Sequence, residues 1–226
     1  MKQEKIKNKK NYCTIYILRH GETEWNVKKI LQGHADSALT KEGKKQAKQA
    51  TKRLRHIKFN AIFSSDLIRA KHTAEIVAIE HKLAVTTHKA LRERNFGKFE
   101  GKHVSKLGEE LKDLLDKLNK LGYQAKYSYK FPHGIETIES AVTRFITLLR
   151  EIAVAYPKKT VLVVTHGGLM RHFLVHLGFA TDKELSITLT GKVVKSSIGN
   201  TAHIKILCDG VDFFIKETFR IKKRKI

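Results

Sequence analysis

The 226-residue chain is 41% hydrophobic, enough apolar sequence for one sizeable core, which excludes a chain disordered throughout. Two prolines and no Ser/Gly-rich stretch exclude an obvious linker, no repeat period stands out, and no run approaches the ~18 apolar residues of a membrane span. Forty-five basic against 22 acidic residues give a net charge of +23 and point to an anionic partner, yet residues 1–10 (+4) and 220–226 (+5) are basic tails, and most of the remainder is spread over helical stretches with solvated faces.

The first expected element is a strand over residues 12–18. Behind a lysine-rich start it imitates a signal peptide, but the run is short, contains Thr and two Tyr, and leads into Arg19-His20-Gly21-Glu22-Thr23, not a small-residue cleavage site. A helix over 40–56 opens at Thr40 with Gly43 close behind, and one over 66–79 has an acidic first turn; both space apolar residues by three and four. The short apolar runs 59–63 and 161–165 fit buried parallel strands. Between them, 103–131 is helical, polar and Lys-rich, a helical insertion near the site, and a further helix over 136–156 stops at Pro157. Val193-Val194, 201–207 and 211–215 are strand-like, with Asp209-Gly210 as a hairpin turn between the last two. This alternation predicts an α/β fold: a basic tail over 1–11, a single domain over 12–219 and a basic tail over 220–226, the tails open to weak contact with nucleic acid or an anionic surface. Cys13 and Cys208 sit in apolar strands without metal-ligand spacing and read as core residues of a reduced, cytoplasmic protein.

Chemistry concentrates where strands end. A strand that stops at a glycine lets backbone N–H groups and side chains converge, and open α/β sheets bind ligands at strand carboxyl ends. Arg19-His20-Gly21 therefore reads as a phosphate site, and Thr165-His166-Gly167-Gly168 repeats its geometry before another helix, whose free N–H groups suit an anion. Phosphoryl transfer needs cations on the equatorial oxygens, and no carboxylate cluster or Cys/His spacing suggests a metal; Arg19 and Arg69 are the substitutes. The Ser64-Ser65-Asp66 segment doubles as a cap for the helix carrying Arg69. Glu93, within Leu91-Arg92-Glu93-Arg94, is the candidate proton donor to a leaving alkoxide, which requires a raised pKa, so Arg92 and Arg94 are expected to face outward or contact substrate.

These pieces occur in order: Arg19 to Thr23 with Asn26, Gln32-Gly33, Leu39-Thr40 with Gly43, Ser64-Ser65-Asp66 with Arg69, Glu93 with Gly97 and Glu100-Gly101, and His166-Gly167. From about residue 12 to about 207 the chain resembles the histidine phosphatase superfamily, the phosphoglycerate mutase-like enzymes. The resemblance implies a three-layer α/β sandwich with a mostly parallel central sheet flanked by helices. It makes His20 a nucleophile that becomes phosphorylated, Arg19, Arg69 and His166 the clamp on the phosphoryl group, and Glu93 the acid/base. It places Thr23, Asn26, Gln32, Gly33 and Gly167 in the substrate pocket, with no metal or cofactor. Ala38, where the family often has proline, and Ile135, where it usually has a second glycine, depart from the pattern and affect loop shape.

The cofactor-dependent mutases of this family carry an arginine-rich, proline-containing insertion after the Glu93-type segment. Here 103–131 is Lys-rich without consecutive arginines and without a proline, which favours hydrolysis of small phosphorylated metabolites such as sugar phosphates, sugar bisphosphates and phosphoglycerates. A bisphosphoglycerate-dependent mutase is the alternative, and a phosphoprotein- or nucleic-acid-binding protein on the same fold is the weaker one.

Overall fold

The structure is a computed structural model that describes residues 11–185 and 197–223. Its centre is one six-stranded sheet of order β3-β2-β4-β1-β5-β6. The strands are β1 (Cys13–Arg19), β2 (Ala61–Ser64), β3 (Val85–Thr87), β4 (Thr160–Thr165), β5 (Ile198–Cys208) and β6 (Phe213–Ile221). The first four in spatial order run parallel, whereas β5 and β6 are antiparallel additions beside β1, so the sheet is mixed with a parallel majority.

Helices cover both faces. They are α1 (Glu24–Val27), α2 (Lys41–Leu54), α3 (Ile68–His81), α4 (Val104–Glu110), α5 (Lys112–Leu121), α6 (Tyr123–Tyr127), α7 (Ile138–Ala155) and α8 (Gly167–His176). The continuous apolar runs of β1 and β4 follow from this sandwich, because both faces of a central strand are buried. Ile15, Ile17, Val161 and Val163 join a cluster with Phe145 and Leu149 of α7 and Phe173 of α8. Tyr16, Leu18, Leu162 and Val164 alternate onto the opposite face, against Ala50 and Leu54 of α2 and Ala74 and Val77 of α3. Phe99, Leu111 and Ile135 make a third, smaller cluster beneath the helices of the insertion.

Local chemistry sets the helix starts. Thr40 Oγ1 accepts from Gly43 N at 2.8 Å, and Thr137 Oγ1 accepts from Ser140 N at 3.0 Å, so α2 and α7 begin one and two residues inside the expected spans 40–56 and 136–156. Helix α3 begins at Ile68, not at 66, and its first N–H groups are met by Asp36 from a distant loop. Asp66 pairs instead with Arg92. The expected strand 211–215 begins only at Phe213, because Asp209 Oδ1 accepts from Val211 N (2.9 Å) and Asp212 N (2.8 Å) and lengthens the hairpin loop. The three-residue β3 escaped the pattern, since two of its residues are exposed. Arg220 and Ile221, expected in the C-terminal tail, belong to β6, and the expected strand residues Val193-Val194 lie outside the described residues. No helix among the described residues is long and apolar enough to cross a membrane. Cys13 and Cys208 are buried partners across β1 and β5, and burial pushes the Cys13 thiol up to about 12.

The consequence for function is a matter of register. Arg19 of β1 lies opposite Thr165 of β4, and His20 N donates to Thr165 O at 3.0 Å. The next residues, His20 and His166, therefore emerge side by side at the carboxyl end of the sheet.

Candidate active site

The imidazoles of His20 and His166 lie 5.3 Å apart at their ring centroids, both buried. His20 Nδ1 lies 2.6 Å from Gly21 O. A carbonyl only accepts, so Nδ1 carries the proton and Nε2 keeps its lone pair. Burial, then Arg19 and Arg69, push the His20 imidazole well below its ordinary value, which keeps it neutral at physiological pH. The backbone carbonyl of His20 is fixed from β5 by Thr201 N (3.4 Å) and Asn200 Nδ2 (3.3 Å).

His166 takes the opposite tautomer. Arg69 Nε, always a donor, lies 3.2 Å from His166 Nδ1, so the proton of neutral His166 sits on Nε2. That buried Nε2 has no hydrogen-bond partner among the described residues, and neither has the buried Nε of Arg19. An unsatisfied buried donor costs about 1–3 kcal/mol, so these two, near a free imidazole lone pair, are donors that an anion could take. Arg19 Nη1 is tethered to Ile198 O, and burial lowers its pKa to about 10, which leaves it a cation.

Arg69 divides its donors. Nη1 serves Ala35 O (2.8 Å) and Asp36 Oδ1 (2.9 Å), and Nη2 serves Gly33 O (2.7 Å), so the guanidinium organises the 33–36 loop while facing the cleft. Glu100 holds the same loop from the other side, its carboxylate accepting from His34 N (2.9 Å) and Ala35 N (2.8 Å). Gly33 has φ +57, and a Cβ there would fall 2.1 Å from Glu100 Oε1, so glycine is required.

Glu93 closes the site at the start of α8. Its Oε2 accepts from Gly168 N at 2.8 Å and its Oε1 from Arg94 N at 2.9 Å. The two glycines after His166 make room: a Cβ on Gly168 would sit 2.8 Å from both carboxylate oxygens, and one on Gly167 would sit 3.0 Å from Arg19 Nε. The flanking arginines part company. Arg92 turns away into a two-point pair with Asp66 (2.7 and 2.6 Å), as expected of an outward residue. Arg94 turns inward, lines the cleft, stacks over Phe96 and Phe131, and is lowered to about 10 by burial.

The cleft around these groups has a volume of about 1470 Å³. Arg19, His20, Arg69, Glu93, Asn26, Gln32, Gly33 and Gly167 line it, so the structure gathers them at one place. His166 lies directly behind, and Thr23 is fully buried, its hydroxyl capping α1 through Asn26 N (3.1 Å) and accepting from Gln32 Nε2 (3.0 Å). Thr23 thus supports the wall and does not form it. Sequence reasoning missed Asp36 and Asn200 and named Glu100 and Gly168 without a role, and for Asn200, 180 residues from His20, no local signal existed. Among the described residues no group of three or more His, Cys, Asp or Glu side chains is arranged to hold a metal ion.

The fold and this pocket define an α/β protein with paired histidines and arginines gathered at the carboxyl end of its sheet. The chain belongs to the histidine phosphatase superfamily (branch 1), whose profile matches residues 15–191. It is 34% identical over 163 residues to phosphoglycerate mutase-like protein 4 of Arabidopsis thaliana, covering 71% of this chain and 69% of that one. A 96-residue stretch is 42% identical to the probable phosphoglycerate mutase GpmB of Escherichia coli, 42% of this chain and 45% of that protein, so less than half of that relative is spanned. Among solved structures it is similar to a phosphoglycerate mutase from Bacillus anthracis (TM-score 0.78, 26% identity, 94% of each chain). In fold it is similar to a mycobacterial glucosyl-3-phosphoglycerate phosphatase (TM-score 0.73, 23% identity, 92% of this chain and 99% of that one).

Proposed function

We propose that this protein is a phosphomonoesterase that hydrolyses small phosphorylated metabolites through a phosphohistidine on His20. The observation that carries the reading is the tautomer pair: His20 keeps a bare Nε2, and the neighbouring His166 and Arg19 each keep a buried N–H without a partner among the described residues. In the first step the Nε2 lone pair attacks phosphorus, the bond to the ester oxygen breaks, and that oxygen takes a proton from Glu93. Arg19, Arg69 and His166 offset charge on the equatorial oxygens. Water then attacks phosphorus, its proton passes to Glu93, the P–N bond breaks, and phosphate leaves. Each Glu93 oxygen accepts one backbone N–H, which holds the carboxyl group in place and leaves a lone pair to carry the proton.

Two features favour hydrolysis over return of the phosphoryl group to a trapped intermediate. At about 1470 Å³ the cleft exceeds the roughly 300–1,000 Å³ of a typical small-molecule pocket, which leaves room for water beside substrate. The insertion contributes Val104, Leu107, Leu115, Asn119, Tyr123 and Lys126 to the wall, and Lys126 is paired with Asp182 at 3.0 Å. The insertion itself thus brings a paired cation to the wall, and the cations that could meet a second anionic group, Arg94 among them, come from other segments. The test is phosphate release from sugar phosphates, phosphoglycerates and nucleotides, with an acid-labile phosphoenzyme trapped by rapid quench. His20→Ala is expected to abolish both signals; full release from that variant sinks the scheme. Interconversion of 3- and 2-phosphoglycerate, dependent on bisphosphoglycerate and faster than phosphate release, would establish a mutase instead.

A further inference from the structure

Arg144 of α7 contributes nothing to the cleft wall, yet its guanidinium spends all five N–H donors in one place. Nη1 donates to Ala90 O (2.8 Å) and Arg92 O (2.7 Å), and Nη2 to Glu93 O (2.9 Å) and Glu136 Oε2 (2.9 Å). Nε donates to Glu136 Oε1 at 2.9 Å. Three backbone carbonyls from the segment that ends in Glu93 thus converge on a single cation. Glu136 fixes that cation in turn: besides the two-point pair it accepts from Asn95 N (3.0 Å) and Ser140 Oγ (3.1 Å), and its own N–H donates to Asn95 O (3.0 Å). Segment 90–95 has little regular structure of its own, only a 3₁₀ turn over Lys89–Leu91. A loop without a ladder of hydrogen bonds needs other partners for its carbonyls, and here one planar fork supplies them.

We infer that Arg144, clamped by Glu136, is a positioning residue for the proton-transfer step: it fixes the backbone of Glu93 so that the carboxyl group meets the leaving oxygen. This rests on the reading of Glu93 as proton donor. A guanidinium reaching three carbonyls and a carboxylate cannot be replaced by an ammonium, which has three donors and no fixed plane. A displacement of about 1 Å in a reacting group costs on the order of 10²-fold in rate. In phosphoenzyme formation the cost should fall on one class of substrate, whereas dephosphorylation, in which Glu93 takes the proton of water, is common to all. Alkyl phosphates need their leaving oxygen protonated, whereas p-nitrophenyl phosphate expels a stable phenolate and does not.

The experiment is a leaving-group series, from alkyl phosphates to p-nitrophenyl phosphate, run on wild type, Arg144→Lys, Glu136→Gln and Glu93→Gln, with phosphoenzyme formation by quench and circular dichroism as the folding control. Expected for Arg144→Lys is a loss of about 10- to 100-fold in the rate of phosphoenzyme formation from alkyl phosphates, with formation from p-nitrophenyl phosphate changed by less than about threefold, a smaller copy of the Glu93→Gln profile. Glu136→Gln should shift the series the same way and serves where Arg144→Lys folds poorly. Equal losses in phosphoenzyme formation across the series, or none, in both variants while Glu93→Gln stays selective for alkyl phosphates would overturn the positioning role and leave the function standing. A Glu93→Gln profile that is flat across the series would remove Glu93 as donor, and the inference with it.

Discussion

Two single residues, Gly168 and Arg94, put the proposed roles of the cleft to the test. Gly168 allows the Glu93 carboxylate to lie on the first turn of α8, and a methyl group there would collide at 2.8 Å with both oxygens. Gly168→Ala is therefore expected to fold, alanine being a better helix former, while slowing turnover of alkyl phosphates by tens of fold; steady-state kinetics beside a melting curve separates the two effects. An unchanged kcat would show that Glu93 works from elsewhere. Arg94 is the second case, a buried guanidinium whose Nε finds no partner among the described residues. Arg94→Met keeps the packing against Phe96 and Phe131 but removes the charge. It should raise KM by about 10-fold or more for substrates with a second anionic group, while leaving a simple monoester within about threefold, since a charged hydrogen bond contributes about 1.5–3 kcal/mol. Equal effects on both substrates would refute a role in reading the distal group. At this scale His20 and His166 stood out because each follows a strand end and precedes a glycine, with Arg19 beside the first, whereas Glu93 stood out as the carboxyl group of the Leu91-Arg92-Glu93-Arg94 segment. The inward turn of Arg94 was not, since Arg92 and Arg94 are one residue either side of Glu93 and only Asp66 tells them apart.

Among the elements, α3 shows how a helix is completed from outside itself. Its N-cap is Leu67, which offers no side-chain acceptor, and the carboxylate of Asp36 takes the N–H groups of Ile68 and Arg69 in its place. The same carboxylate pairs with Arg69 Nη1 at 2.9 Å, so one side chain starts the helix and aims its arginine. Asp36→Ala should cost about 1–3 kcal/mol by urea unfolding and weaken inhibition by inorganic phosphate, because both the cap and the partner of a buried cation go together. Loss of stability with unaltered phosphate affinity would mean that Gly33 and Ala35 carbonyls alone aim Arg69. The helix itself was visible in the sequence from its three- and four-residue apolar spacing. Its true cap was not, because Asp66 stands in the usual place and is spoken for by Arg92, and an Asp 32 residues upstream leaves no periodic trace.

Among the described residues four histidines are buried, His20, His166, His172 and His203, each lowered chiefly by burial, the first three well below their ordinary value. His172 Nε2 accepts from Arg171 Nη2 at 2.9 Å within α8 while Nδ1 reaches Tyr123 Oη of α6 at 3.3 Å, so protonation of Nε2 would break the contact with Arg171 and set two cations side by side. Below about pH 6.5 the unfolded chain binds protons that the native state refuses, so stability falls as pH drops, by up to about 1.4 kcal/mol per pH unit for each histidine. Urea midpoints are expected to hold from pH 8 to 7 and to decline from 6.5 to 5, with a shallower decline in His172→Gln; a midpoint that stayed level to pH 5 would contradict the burial of neutral imidazoles. The sequence by itself determined the α/β alternation, the two strand-histidine-glycine turns and the arginine and glutamate that serve them, because those features are written in neighbouring residues and in periods of two and 3.6. Only the tertiary structure decided which ring nitrogen of each histidine is free, that Thr23 supports the wall, and that Asp36, Arg144 and Asn200 hold the working groups. Hydrogen bonds act over about 3 Å between segments tens of residues apart, and no local pattern encodes which distant donor will arrive.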